Sequence, residues 1–404
     1  MEIFLRNKKL MQGVELKKAG QQKQIIRSLY FHGPGSNAEL SRDLGLSTPK
    51  VNSLLQEMIH RGTVRELGHG DSSGGRRPVM YGLAPEAFYM VGITINVNFS
   101  VIAIFNAQNR EISGPYTLPV KMERDITLFE RINDRLQEII REEGIDRKRI
   151  AGVGIELPGL VNQEKHINKT YFPGEEELHL KLGEIFGMPV FFDNDARLRT
   201  FAEQHFGLAR GRQHVLMIHM DWGIGMGLIV NGQLYGGKSG FSGEFGHIPM
   251  ADNGILCNCG KIGCLETIAS APAIARQARE GVAGGNSSLI TTLVEGDLQK
   301  ITTSTVIEAA RLGDQFSISL LSQAGFWLGK GMAQLMQVFN PELIIIGGMV
   351  AEAGQFMMAP IQQAIYTYAN SDISNDTEIL FSILGVRAGA IGAAAFALEK
   401  LANN

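Results

Sequence analysis

Residues 246–266 read GHIPMADNGILCNCGKIGCLE and hold every cysteine of the 404-residue chain, Cys257, Cys259 and Cys264, beginning ten residues after His247. Three thiols cannot all pair as disulfides, and Cys257 and Cys259 stand two apart, where an unstrained bridge is difficult. A structural zinc ion takes four ligands drawn from thiolate and imidazole, the number that His247, Cys257, Cys259 and Cys264 supply. Gly254, Gly260 and Gly263 let the backbone close around a small ion. The alternative, reduced thiols buried as small apolar groups, suits a hydrophobic stripe better than this polar, glycine-rich loop. The stretch therefore predicts one structural zinc site.

The surrounding chain is 44% hydrophobic, enough for more than one core at this length. Its opening MEIFLRNKKL is too charged for a signal peptide, and no apolar run approaches the roughly 20 residues of a membrane span. The expectation is a soluble cytoplasmic protein with no membrane insertion, a compartment that agrees with cysteines kept for metal. The net charge of −3 hides an asymmetry: residues 1–85 contain 13 Lys+Arg and 7 Asp+Glu, against 25 and 34 in the remainder. A basic head on an acidic body points to a polyanionic partner for the head.

The head, residues 1–86, carries helix-turn-helix punctuation. QQKQIIRSLYFHG sets Ile25, Ile26 and Leu29 on one helical face before Gly33. SNAELSRDLG begins with Ser36 and Glu39 at capping-box spacing, offers Ala38, Leu40 and Leu44 to the core and stops at Gly45. A second helix follows at once, with Thr48 as N-cap, Pro49 in the first turn and Val51, Leu54, Leu55, Met58 and Ile59 at i, i+3, i+4 spacing. Its other face shows Lys50, Asn52, Ser53 and Gln56, side chains able to bond base edges or phosphates in a major groove. TVREL and RRPVMYGL then flank the glycine-rich GHGDSSGG as two strands of a wing, with Arg76 and Arg77 at its edge for phosphate or minor-groove contact. Together these features predict a winged helix-turn-helix that binds double-stranded DNA.

In the body, residues 87–404, YMVGITIN, FSVIAIFN, IAGVGIE and MPVFFDND are apolar runs of strand length, separated by amphipathic segments such as 126–143. Strands alternating with helices indicate α/β layers. The segments IELPGLV (155–161), DNDAR (193–197), GIGMGLIVNGQLYGG (223–237), GFSGEFGH (240–247), the cysteine loop ending at Glu266, and NPELIIIGG (340–348), taken in this order, resemble the ROK family of repressors and sugar kinases. The resemblance covers residues 88–404, and the head matches the repressor subgroup. It implies an actin-like, ribonuclease-H-like body of two lobes with a sugar-binding cleft near 194–266. It further implies sugar contacts from Asn194, Asp195, Glu244, His247 and Glu266, with the Gly159 turn approaching the same ligand. Carboxylates and an amide are suitable partners for sugar hydroxyls. One ring nitrogen of His247 would bind zinc while the other faces the sugar, and the closed loop would fix Glu266. The resemblance leaves ordinary roles open as well, Asp195 as a helix cap and Glu244 or Glu266 as solvated surface.

The chain departs from the kinases of that family. Where they open with Asp-x-Gly-x-Thr to orient magnesium and ATP, it reads Thr94-Ile95-Asn96-Val97-Asn98, and it places Asp221-Trp222 where they carry Gly-Thr. The acid, the glycine and the hydroxyl of a phosphate cradle are gone. The reading is a sugar-responsive transcriptional repressor, not an enzyme, acting as a homodimer or homotetramer because paired half-sites require paired heads. Two rivals are a ROK sugar kinase for a hexose or N-acetyl-hexosamine, and a regulator gated by a sugar-transport protein.

Overall fold

The computed structural model describes Phe4, residues 13–70 and residues 77–403. It divides into two compact units, Met1–Phe206 with Arg387–Asn404, and Gly207–Val386. Among the described residues no helix is long and apolar enough to cross a membrane.

The first unit begins with the head. Helix Val14–His32 buries Ile25, Ile26 and Leu29 as its spacing predicts, together with Tyr30 and Phe31, and ends at Gly33 with φ +84. Helix Asn37–Leu44 opens with the expected capping box: the Ser36 hydroxyl accepts from the Glu39 N–H at 3.3 Å, and the Glu39 carboxylate accepts from the Ser36 N–H at 2.7 Å. Hydrogen bonds from the Ser36 backbone and side chain hold the Glu39 carboxyl below its ordinary range. Two details differ from the sequence reading. Ala38 is exposed and Ser41 is buried in its place, because residues three and four apart share a helix face, so Asn37, Ser41 and Leu44 flank the inward Leu40. The Ser41 hydroxyl donates to Asn37 Oδ1 at 3.1 Å. Thr48 is already helical, and the N-cap of Thr48–His60 is Ser47, whose carbonyl accepts the first helical bond from the Val51 N–H at 3.0 Å.

Strands β1 (Gly35–Ser36), β2 (Val64–His69) and β3 (Val79–Leu83) form an antiparallel sheet in the order β1-β3-β2. The β2–β3 hairpin is the expected wing. Arg77 at its edge is exposed; Arg76 falls outside the described residues.

The rest of this unit is built on β4 (Tyr89–Ile95), β5 (Phe99–Asn106), β6 (Glu111–Pro119), β7 (Ile150–Leu157) and β10 (Val190–Asn194), in the order β10-β7-β4-β5-β6, with β8 (Val161–Asn162) and β9 (Ile167–Asn168) as a separate pair. The second unit repeats the pattern with β11 (Val215–Met220), β12 (Ile224–Val230), β13 (Gln233–Tyr235), β14 (Leu343–Gly347) and β15 (Glu378–Phe381), ordered β13-β12-β11-β14-β15. In each unit three antiparallel strands are followed by two parallel ones on the other side of the first strand. This duplicated order is the actin-like, ribonuclease-H-like body that the resemblance implies. A parallel partner requires a crossover long enough to return the chain, and helices serve. In the first unit the crossover contains Thr127–Glu142, whose Leu128, Phe129, Ile132, Leu136, Ile139 and Ile140 recur at helical spacing and join the core under the sheet. In the second unit the β13-to-β14 crossover carries the cysteine loop and the helices Ala271–Ala283, Thr303–Arg311 and Gln315–Phe339.

Helix Ala388–Asn403 covers the first sheet at unusually close range. A Cβ on Gly92 of β4 would lie 2.0 Å from the Ala390 carbonyl oxygen, and one on Gly154 of β7 would lie 1.8 Å from that of Ala393. No side chain fits at either place. Gly154→Ala is therefore expected to destabilise the protein by about 1–3 kcal/mol or more through overpacking against backbone. Gly20→Ala, in helix Val14–His32 with open space around its Cβ, should stabilise by up to about 1 kcal/mol. Urea midpoints of the two variants against the parent protein check both signs.

Candidate functional site

The cysteine loop leaves the short turn Phe245–His247 and folds back on itself through antiparallel bridges pairing Pro249 with Cys264 and Leu256 with Ile262. Its glycines are required by geometry. A Cβ on Gly263, at φ +74, would come 1.7 Å from the Ala251 carbonyl oxygen, and one on Gly254 would come 2.5 Å from the Gly263 Cα.

The fold brings His247, Cys257, Cys259 and Cys264 together with their ligand atoms all within 4.8 Å of one another. His247 Nδ1 lies 3.5 Å from Cys257 Sγ, and Cys259 Sγ lies 3.6 Å from Cys264 Sγ. Bond lengths of about 2.3 Å to sulfur and 2.0–2.1 Å to nitrogen put the edges of a zinc tetrahedron at about 3.5–3.8 Å, so both separations fit that ion. Burial pushes the Cys257 thiol up and the Cys264 thiol up to about 12, whereas the Lys261 N–H draws the exposed Cys259 down. Two buried thiolates are costly alone, and a divalent cation among them offsets that cost. The donor set thus suits a metal ion and is poorly arranged without one.

Two predicted ligand contacts adjoin this cluster. The His247 ring turns Nδ1 to the thiols and leaves Nε2 on the other side, 3.7 Å from Glu244 Oε2. Glu266, two residues beyond Cys264, accepts from the Ile224 N–H at 3.2 Å, and a Cβ on Gly223 would stand 2.5 Å from its Oε2. The turn from β11 to β12 therefore holds Glu266 from above while the cysteine loop holds it from behind. Asp221, in the same turn, accepts from the Met349 N–H at 3.1 Å and lies 3.1 Å from His219 Nε2.

In the first unit the structure groups the other three predicted contacts. Gly159, at φ +88, leaves no room for a side chain, since its Cβ would stand 2.6 Å from that of Thr170. Its carbonyl accepts from Asn194 Nδ2 at 3.0 Å. Asn194 Oδ1 accepts from the Arg197 N–H at 3.3 Å, and Asp195 Oδ1 accepts from the Ala196 N–H and from Asn194 Nδ2, each at 2.8 Å. Both side chains thus help to start helix Asp195–Phe206. Sequence reasoning missed Ile224 and Thr170: a backbone donor has no side-chain signature, and the packing of Thr170 on Gly159 is a contact of the folded chain.

The head presents a polar surface on helix Thr48–His60. Val51, Leu54, Leu55 and Met58 are buried, whereas Lys50, Asn52, Ser53 and Gln56 are exposed in one row. Thr94, at the end of β4, is buried, and Asn96 and Asn98 form the turn into β5, the counterpart in the first sheet of the Asp221–Gly223 turn in the second.

Comparison with known proteins places these features in a family. The ROK family model matches residues 101–400. The chain is 29% identical over 380 residues to the xylose repressor of Bacillus subtilis (strain 168), covering 94% of each. It is 34% identical over 271 residues to the glucokinase of Thermotoga maritima, covering 66% of this chain and 85% of that one. A crystal structure of a ROK family transcriptional regulator, a homolog of the E. coli MLC protein, shares the fold with a TM-score of 0.79 at 24% identity over 96% of this chain and 97% of its own. With most of its length matched, and with the same strand order in both of its units, the chain belongs to the ROK family.

Proposed function

We propose that this protein is a DNA-binding transcriptional repressor of sugar metabolism or transport genes, working in the cytoplasm and released from its operator by a sugar or amino sugar. Residues 1–86 bind DNA and residues 87–404 bind the sugar. The observation that carries this reading is the row of Lys50, Asn52, Ser53 and Gln56 exposed on a helix whose opposite face is buried. That row belongs to a head that a relative named as a repressor matches along with the body. In this reading Asn52 and Ser53 read base edges, Lys50 adds base or phosphate contact, and Arg76 and Arg77 of the wing hold phosphate or minor groove.

The sugar contacts are assigned to Gly159, Asn194, Asp195, Glu244, His247 and Glu266. Their carboxylates, amide and imidazole satisfy hydroxyls that donate and accept in fixed directions. Zinc on His247, Cys257, Cys259 and Cys264 is structural: it fixes the His247 ring and, through the loop, Glu266. A sugar that favours one arrangement of the protein weakens DNA binding by differential affinity. Half-site recognition requires at least two heads, so the protein acts as a dimer or tetramer, and a sugar-transport protein is a further candidate partner. The glucokinase relative favours a second reading, ATP-dependent sugar phosphorylation. Against it stand Thr94, Asn96 and Asn98, which supply neither the acid for magnesium nor the glycine for phosphate approach.

Protein purified without chelator is expected to hold about one zinc per chain. Cys264→Ser should lose most of it, by elemental analysis. On the duplex that the protein itself selects from a random pool, Asn52→Ala should cost roughly 1–3 kcal/mol and relax specificity. Arg77→Ala should weaken binding to every duplex alike and make the salt dependence shallower by about one counterion. Gel-shift titrations at several salt concentrations separate the two defects, and equal losses on selected and random duplexes for Asn52→Ala would remove that residue from base reading.

A further inference from the structure

Cys259 differs from the other thiols of its loop. The Cys257 N–H donates to the Lys261 carbonyl at 2.7 Å and the Gly260 N–H to the Cys257 carbonyl at 2.9 Å, which makes residues 257–261 a tight turn framed by the Leu256–Ile262 bridge. Cys259 stands at its tip and is exposed, whereas Cys257 and Cys264 are buried. A Cβ on the adjacent Gly260 would meet nothing within 4 Å, so this end of the loop opens to solvent. Cys259 Sγ lies 3.6 Å from Cys264 Sγ, and Cys257 Sγ lies 3.5 Å from His247 Nδ1. A bridge from Cys259 to Cys257 would join residues two apart and be strained. Cys264 lies five residues away, with Gly260 and Gly263 between them to absorb the backbone change.

We propose that Cys259 and Cys264 form a peroxide-sensitive pair, an oxidation site built into the metal loop. The inference rests on the zinc reading. Hydrogen peroxide is the oxidant. The Cys259 thiolate attacks one peroxide oxygen, the O–O bond breaks, hydroxide leaves, and Cys259 becomes a sulfenic acid. The Cys264 thiolate then attacks the Cys259 sulfur, the S–O bond breaks, a second hydroxide leaves, and a disulfide closes. Two thiolates, one peroxide and two protons thus give one disulfide and two waters. The disulfide removes two of the four ligands that would hold zinc and leaves only His247 and Cys257 for it, so a bound ion would be released. Glu266, two residues past Cys264, loses the support of the loop, so oxidation disables the sugar contacts without touching the head.

The test uses the full-length protein and hydrogen peroxide, with zinc release followed by a chromogenic chelator and disulfides mapped by non-reducing peptide mass analysis. The expected result is one zinc released per disulfide, a single linkage between Cys259 and Cys264, and recovery of both thiols and zinc binding on adding dithiothreitol and zinc. Cys259→His keeps four ligands and removes the exposed thiol, so it should hold zinc through a tenfold excess of peroxide that empties the parent protein. Zinc retained by the parent under that excess, or a linkage through Cys257, overturns the proposal. Protein that forms the Cys259–Cys264 bond but never contained zinc refutes the zinc reading and leaves the thiol pair standing.

Discussion

The first unit depends on the contact between bare backbone and bare backbone where helix Ala388–Asn403 meets β4 and β7. Because Gly92 and Gly154 have no side chains, the carbonyls of Ala390 and Ala393 occupy the space a Cβ would need. The same helix repeats the device against Asp195–Phe206, where a Cβ on Gly392 would lie 2.0 Å from the Leu198 carbonyl. It also meets the head, where Glu399 pairs with Arg27 of Val14–His32 at 2.6 Å, while the Phe31 ring packs on Phe201, His205 and Phe206 of the neighbouring helix Asp195–Phe206. Two buried ion pairs hold Asp195–Phe206 to its sheet, Arg197 with Asp193 and Arg199 with Glu156. Breaking one by removing a single partner costs about 3–5 kcal/mol, because a charge is left buried. Helix Asp195–Phe206 thus ends against helix Val14–His32 of the head.

The second unit solves a different problem. Its long crossover from β13 to β14 carries Glu244, His247 and Glu266 on short turns and the one-turn helix Glu266–Ala269. Backbone hydrogen bonds alone would leave such a loop at the low end of local stability. Phe245 and Leu265 anchor the two ends of the loop in the core of the second unit, a metal joining His247 to the three thiols would add rigidity at its tip, and the Ile224 N–H holds Glu266. The two turns that follow the first strand of each sheet differ in their chemistry. One is lined by asparagines, and in the other the Asp221 carboxylate is taken up by the Met349 N–H and His219.

Local chemistry made much of this legible. The Ser36–Glu39 capping box, the strand runs and the cluster of His247, Cys257, Cys259 and Cys264 are encoded in short spacings, and each appears where its spacing puts it. Contacts between distant segments were not legible. Nothing near Gly154 announces that Ala393 will lie on it, and nothing near Asp221 announces that it will accept from a backbone N–H 128 residues away. Ala38 shows the limit within a helix: an apolar residue followed by Leu40 suggests a shared face, whereas the helical period turns it outward.

Repression relieved by a sugar requires the two ligands to oppose each other, and linkage makes that requirement exact in both directions. Calorimetric titration of glucose, N-acetylglucosamine, N-acetylmannosamine, xylose and fructose into the free protein and into its complex with the selected duplex measures it directly. The account predicts that at least one of these sugars binds the free protein and binds the complex about 5–150-fold more weakly, and that saturation with that sugar lowers DNA affinity by the same factor. A sugar that binds free protein and complex with equal affinity, or no binding by any of the five, would contradict it.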